Sequence, residues 1–472
     1  MKYQKFPEGP FEPTWESLSN YKIPSWFEEA KFGIFIHFGA YSVPAFGNEW
    51  YPRNMYIQGS REFEHHIKTY GEHNKFGYKD FIPLFKAEKF NPEHWANVFR
   101  KSGAKYVIPV AEHHDGFAMY DCSFTRWCAA KIGPQRDIVG ELAQAARKNF
   151  LTFGISYHRA EHWWFFHEGT KFDSDVLNPE YIDLYGPAQP ENMQPTEEFL
   201  ENWYLRLCEI VDKYKPQIIY FDWWIEKPVF EPYLKRFAAY YYNRAYEWNR
   251  EVVISYKLNS FPRKCALYDI ERGKIDDIDP IPWQMDAPIS KVSWSYVEEK
   301  EYKTTEEILC DLVDIVSKNG NLLLNTGPRP NGTIPEEEEN ILLEIGKWLL
   351  ANGEAIYGTK PWKIYGEGLT KLPTGSFVDT TKVSYTGEDF RFTTKGDILY
   401  AFLMGKPEKE EIFIQSLGYN LPLFKNEIEK VEVLGEGRKE EIVWKREERG
   451  LKAKIPGFRK LNYPVALKIT PK

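Results

Sequence analysis

From about residue 30 to about residue 350, short and almost wholly apolar runs alternate with longer amphipathic stretches. The runs are Phe32 to Phe38, Tyr106 to Ala111, Leu151 to Ser156, Gln217 to Phe221 and Val252 to Tyr256. A strand with no polar face has both faces buried, which is the condition inside a parallel sheet covered by helices. The intervening stretches carry helix signals. Asn91 precedes Pro92, with Gly103 beyond the end, and Asp137 precedes Ile138, Leu142 and Ala145. Thr304 and Glu307 are spaced as a capping box, and Pro335 opens a last helix that Asn352-Gly353 stops.

Strand-then-helix alternation over roughly 300 residues predicts an α/β fold. An open doubly wound sheet would carry a glycine-rich phosphate loop after an early strand, and none follows Phe38 or Ala111. A TIM-like (β/α) barrel is therefore expected over residues 1–360. A chain of 472 residues is too long for one compact core. Beyond Lys360-Pro361 the texture changes to short β-rich segments. These are Phe390 to Thr394, Ile398 to Leu403, Glu411 to Ile414, Val431 to Leu434, Glu441 to Lys445, Leu451 to Ile455 and Val465 to Ile469. Their spacing predicts a small C-terminal antiparallel β-sandwich over residues 361–472.

The polar residues are informative by position. His37 ends the first run, Glu112-His113-His114-Asp115 follows the second, Tyr157-His158-Arg159 the third and Asp222-Trp223-Trp224 the fourth. Strand C-termini of a parallel barrel open on one face, so these groups should converge on one pocket. A metal could use His37, His113, His114, Asp115 and Asp222, but no HExxH helix is present, and adjacent residues of a strand face opposite ways. No GxSxG elbow offers a serine nucleophile. Glycoside hydrolysis needs two carboxylates with different protonation states. Asp222 suits the ionised one, because an idle carboxylate ending the run QIIYF would be costly to bury. For its partner the residues alone leave Glu49, Glu112, Glu161, Glu226, Asp269 and Glu271 open.

Longer strings carry a resemblance. Phe32-Gly-Ile-Phe-Ile-His-Phe-Gly, Asn48-Glu-Trp-Tyr, Ala111-Glu-His-His-Asp-Gly-Phe and Ser317-Lys-Asn-Gly-Asn-Leu-Leu-Leu-Asn-Thr-Gly-Pro resemble the α-L-fucosidases of glycoside hydrolase family 29. The likeness runs in order from about residue 15 to 362. It implies a retaining double displacement on terminal α-L-fucosides, without metal or cofactor. Carried over, Asp222 is the nucleophile and Glu271 the acid/base, with Asp269 in reserve. Trp283-Gln284 stands where a competing glutamate often follows a tryptophan. The resemblance further implies that His37, Glu49, Trp50, His113, His114 and Tyr157 contact the sugar, with Trp294 near its methyl group. Lys257 stands where the family often has arginine, and it lacks the planar fork. A galactose-like sugar therefore remains an alternative substrate, and a metal-dependent hydrolase on the same barrel an alternative chemistry.

The net charge of -8 and the lack of a basic run argue against nucleic acid as a partner. The expected partner is a fucosylated oligosaccharide or glycoconjugate, with a homo-oligomer implied by the family. Residues 1–17 show no apolar leader, and no apolar stretch approaches a membrane span, so a cytoplasmic location and no membrane contact are expected. Five scattered cysteines predict neither a disulfide framework nor a thiolate zinc site.

Overall fold

The computed structural model describes residues 6–299, 301–435, 438–455, 457–458 and 464–472. Eight parallel strands close a barrel: β1 (Phe32–Ile36), β2 (Tyr106–Glu112), β3 (Thr152–Tyr157), β4 (Ile218–Phe221), β5 (Val253–Lys257), β6 (Leu267–Glu271), β7 (Trp283–Pro288) and β8 (Gly320–Thr326). The five apolar runs are β1 to β5. The runs of β6 and β7 are broken by polar residues that face into the barrel, among them Asp269, Glu271, Gln284 and Asp286, which is why apolar continuity does not reveal them.

Side chains alternate between two cores. Ile218 and Tyr220 of β4 pack inside the barrel with Phe35, Tyr106, Ile108 and Leu267, whereas Ile219 and Phe221 pack outward against helices. The helix Ser25–Ala30 plugs the bottom, and its Phe27 carbonyl accepts a bond from Asn321 Nδ2 at 2.7 Å. Gly154 faces inward, where a Cβ would lie 2.7 Å from Cβ of Ile218. The predicted helix starts are present as hydrogen bonds. Asn91 Oδ1 accepts from His94 N at 3.1 Å, Asp137 Oδ1 from Gly140 N at 2.9 Å, and Thr304 and Glu307 form a reciprocal box. Gly103 takes a positive φ of 89° after its helix.

The C-terminal strands are β9 (Lys360–Glu367), β10 (Phe390–Lys395), β11 (Ile398–Leu403), β12 (Glu411–Ile414), β13 (Ile428–Gly435), β14 (Arg438–Glu441), β15 (Trp444–Glu447), β16 (Gly450–Lys454) and β17 (Val465–Pro471). They form a six-stranded antiparallel sheet in the order β14-β13-β17-β11-β10-β9 and a three-stranded sheet β12-β16-β15. The segment expected as one strand from Glu441 to Lys445 is instead the crossing between the two sheets. β14 ends at Glu441, β15 begins at Trp444, and Ile442 turns between them while its N–H still reaches Val431 O. β11 shows why ILYAFL is apolar throughout. Leu399, Ala401 and Leu403 face the small sheet, while Tyr400 and Phe402 join the barrel's helical layer.

The junction is also ionic. Arg391 of β10 is buried and donates to Asp314 of the helix Thr305–Ser317, which Lys318 also contacts at 2.9 Å. Replacing Arg391 with methionine leaves a buried carboxylate short of a partner, so Arg391→Met is expected to lower unfolding free energy by about 3 kcal/mol in chemical denaturation. An unchanged midpoint would show that the pair contributes nothing to the junction.

Candidate active site

At the C-terminal mouth of the barrel lies a small pocket open to solvent on its outer side. Its lining includes Asp222, Glu271, His37, His113, His114, Glu49, Trp50, Lys257 and Trp294, so nine of the ten residues singled out from the sequence converge there. The tenth does not. Tyr157 is the outward residue of β3, buried with its hydroxyl 3.4 Å from Trp203 O, and the inward neighbour His158 takes the place in the pocket.

A bulge in β2 explains several placements at once. Val110 pairs with Ser156 and Glu112 with Tyr157, so β2 has one residue more than β3 in this interval. Glu112 is thereby turned outward to Arg159 (2.6 Å) and Arg206 (3.2 Å), and it drops out as a catalytic partner. The strand ends at Glu112, which frees His113 and His114 from alternation, and both face the pocket.

Asp222 follows β4 and is almost fully buried. His158 donates from Nδ1 to Asp222 Oδ2 at 2.9 Å, and the Ser156 hydroxyl donates to Nε2. This fixes one neutral tautomer, in keeping with a His158 pKa lowered by burial. His114 is the reverse case. Its Nδ1 faces the His158 carbonyl at 2.9 Å and Glu161 at 3.3 Å, and its Nε2 faces Asp222 Oδ2 at 3.3 Å. Neither a carbonyl nor a carboxylate can donate, so both ring nitrogens must, and His114 is an imidazolium. Burial opposes that charge, but Glu161 and Asp222 prevail and raise the pKa to about 9. Burial likewise works against ionised Asp222, yet His158, His114 and Lys257 hold its carboxyl well below the usual range.

Lys257 ends β5. Its Nζ lies 2.6 Å from Glu271, 3.1 Å from Asp286 and 3.7 Å from Asp222. Glu271, the last residue of β6, also accepts from the indole N–H of Trp223. Burial pushes its pKa up to about 7; Lys257 opposes this, and Asp286 and Asp222 reinforce it. Asp269 lies one inward position deeper, bound to Gln284 at 2.8 Å and absent from the pocket lining, which removes the reserve acid.

Burial and neighbouring imidazoles keep His37 and His113 neutral, with pKa values well below the ordinary one. His37 Nδ1 bonds to Asn325 at 2.7 Å, and His113 Nδ1 has no partner among the described residues. Glu49 accepts from Trp294 N–H (3.0 Å) and the Ser293 hydroxyl (3.1 Å). The trios His37-His113-His158 and His114-His158-Asp222 each bring ligand atoms within 4.8 Å of one another. Both trios need His158, whose two nitrogens already hold Ser156 and Asp222 in place. A metal there would break the bonds that orient Asp222.

A family model described as Alpha-L-fucosidase matches residues 2–354. The chain belongs to the α-L-fucosidase family. It is a glycoside hydrolase, 33% identical to the human tissue α-L-fucosidase over 87% of its own length and 82% of that protein's. The rat tissue enzyme is 34% identical over 86% and 81%. Among solved structures, the Thermotoga maritima α-fucosidase in complex with fucose is 32% identical, with a TM-score of 0.77 over 98% of this chain and all of that one.

Within this fucosidase-family barrel, His158 and Trp223 line the pocket as their strand-end positions implied but were given no role from the sequence, and Asp286, Tyr220 and Phe35, which also line it, were missed. The signal for His158 is readable in β3. Phe153, Ile155 and Tyr157 form the large apolar face, which leaves Gly154, Ser156 and His158 for the barrel interior. Accordingly, Tyr157→Phe is expected to keep kcat/KM on an aryl fucoside within about twofold. His158→Ala should lower it by about a hundredfold or more, because the Asp222 carboxylate loses its positioning donor. Steady-state kinetics on both variants decides between the two placements.

Proposed function

We propose that the protein is an exo-acting, retaining α-L-fucosidase that works by double displacement. The observation carrying this reading is that Asp222 and Glu271 converge on one lysine while their surroundings drive their protonation apart. With Lys257 Nζ 3.7 Å from one carboxylate and 2.6 Å from the other, the facing oxygens are no more than about 6.3 Å apart, which suits a retaining pair at about 5–5.5 Å and leaves little room for an inverting water.

In the first step a carboxylate oxygen of Asp222 attacks the anomeric carbon while protonated Glu271 gives its proton to the departing glycosidic oxygen. In the second, Glu271 takes a proton from water, which displaces Asp222 and releases the sugar. Neutral His37 gives its Nδ1–H to Asn325 and leaves Nε2 to accept from a sugar hydroxyl, while neutral His113 has an Nδ1 without a partner among the described residues; together they suit the hydroxyls of one deoxy sugar. Trp294 lies 5.2 Å from the His37 ring and offers an apolar wall for a methyl group. The pocket is blind toward the barrel interior, where Phe35 and Tyr220 close it, which supports exo action. The fucose-bound relative supports fucose as that unit.

Hydrolysis of para-nitrophenyl α-L-fucoside tests this reading. Asp222→Gly is expected to lose at least about a thousandfold in kcat, with partial rescue by azide giving the inverted fucosyl azide. Full activity in Asp222→Gly would overturn the assignment, and a wild type active only on the α-galactoside would move the substrate to the galactose-like sugar. The pH profile gives a second check. Glu271 must be protonated, so wild-type activity should decline as pH rises past about 7. Asp222 stays ionised to well below its ordinary pKa, so activity should persist into mild acid. Glu271→Gln should cost about a hundredfold or more and abolish the alkaline decline. A decline that survives in that variant would assign the titration to another group.

A further inference from the structure

The pocket opens outward into a second, wider chamber that is half open to solvent. Glu49, Trp50, Trp223, Glu271 and Trp294 line both, so the chamber begins where Glu271 stands. An acid that protonates the glycosidic oxygen stands beside the leaving group, which must therefore occupy this chamber.

One wall comes from the segment between β9 and β10. The Phe377 ring lies parallel to Trp223 within 16°, with centroids 6.0 Å apart, an offset arrangement that makes one stepped aromatic surface. Phe377 is 53% exposed and adopts a φ of 58°, a left-handed conformation rare for a bulky residue. Its backbone is held there. Phe377 N–H donates to Glu271 O at 3.0 Å, Val378 N–H to Arg272 O at 2.8 Å, and Gly375 and Lys274 exchange both backbone bonds. Asp379 anchors the far side through Arg272 at 2.8 Å and through Lys303. An exposed phenyl ring is thus fixed, at a cost in backbone strain, next to the proposed acid. Within the same chamber, Glu226 Oε2 is buried and has no hydrogen-bond partner among the described residues.

We propose that Trp223 and Phe377 form the platform of a leaving-group subsite that binds a second pyranose ring. The C–H face of the sugar packs on the aromatic step, and Glu226 accepts from one of its hydroxyls. The preferred substrates are then fucosylated oligosaccharides, with part of their binding energy contributed by a residue outside the barrel. This inference rests on the fucosidase reading above.

The test compares two substrates on the full chain: a fucosyl-(1→2)-galactose disaccharide and α-L-fucosyl fluoride, which has no second ring. In Phe377→Ala, KM for the disaccharide is expected to rise roughly five- to tenfold, while kcat/KM on the fluoride stays within about twofold. Phe377→Tyr, which keeps the ring, should restore the disaccharide KM. Equal losses on both substrates would mean that Phe377 acts only by holding Glu271, and no loss on either would mean that it binds nothing; each overturns the subsite. A wild type inactive on fucosyl fluoride would instead overturn the fucoside reading itself, and the subsite with it.

Discussion

Everything at the barrel mouth is arranged about the ammonium group of Lys257. Three carboxylates, Asp222, Glu271 and Asp286, approach one buried cation, which is itself 4% exposed in its side chain. Lys257 and the His114 imidazolium, which Glu161 shares, cannot neutralise every carboxylate gathered here, and an uncompensated buried charge is expensive. The cluster therefore settles by protonation. Asp222 keeps its charge because His114 and His158 add two donors on its other oxygen, whereas Glu271 has only Lys257 and an indole N–H and drifts upward. The different protonation of the two carboxylates, on which the proposed roles of nucleophile and acid rest, follows from how many donors each can reach.

The remaining polar groups inside the barrel keep that cluster in place. The Tyr220 hydroxyl donates to Asp286 at 2.6 Å, Gln284 bonds Asp269 at 2.8 Å, and the Tyr106 hydroxyl reaches Gln284 at 2.8 Å. This ladder runs from the plugged bottom of the barrel to the pocket. It pairs most of these buried groups, leaving Asp286 Oδ1 without a partner among the described residues, and it fixes their rotamers through bonds rather than through apolar packing. A lysine suits this arrangement, since a compact point charge can sit among three acceptors from different strands.

The C-terminal sheets are also part of the site. Their larger sheet packs through Tyr400 and Phe402 on the helical layer, and the segment between β9 and β10 bonds to the chain just after β6. Glu271 is the last residue of β6, so its backbone is held on one side by barrel pairing to Asp286 and on the other by Phe377. A strand end that would otherwise fray in solvent becomes a fixed support for a side chain whose position matters to fractions of an ångström.

Local physics was legible in the chain. Apolar runs, capping residues and the carboxylate ending QIIYF specify strands, helix starts and Asp222 within a few neighbours, because hydrophobic periodicity and backbone capping act over three or four residues. The resemblance carried the choice of Glu271, which spacing alone left among six acids. What the sequence could not decide depends on contacts between distant segments. The bulge in β2 put Glu112 outside and His113 inside, the inward face of β3 took His158 and turned Tyr157 away, and β14 crossed to β15 where one strand was expected. Phe377 reaches Trp223 only because two domains pack together. Register, bulges and interdomain contacts are set by which surfaces bury each other, and that energy belongs to the assembled fold rather than to any stretch of chain.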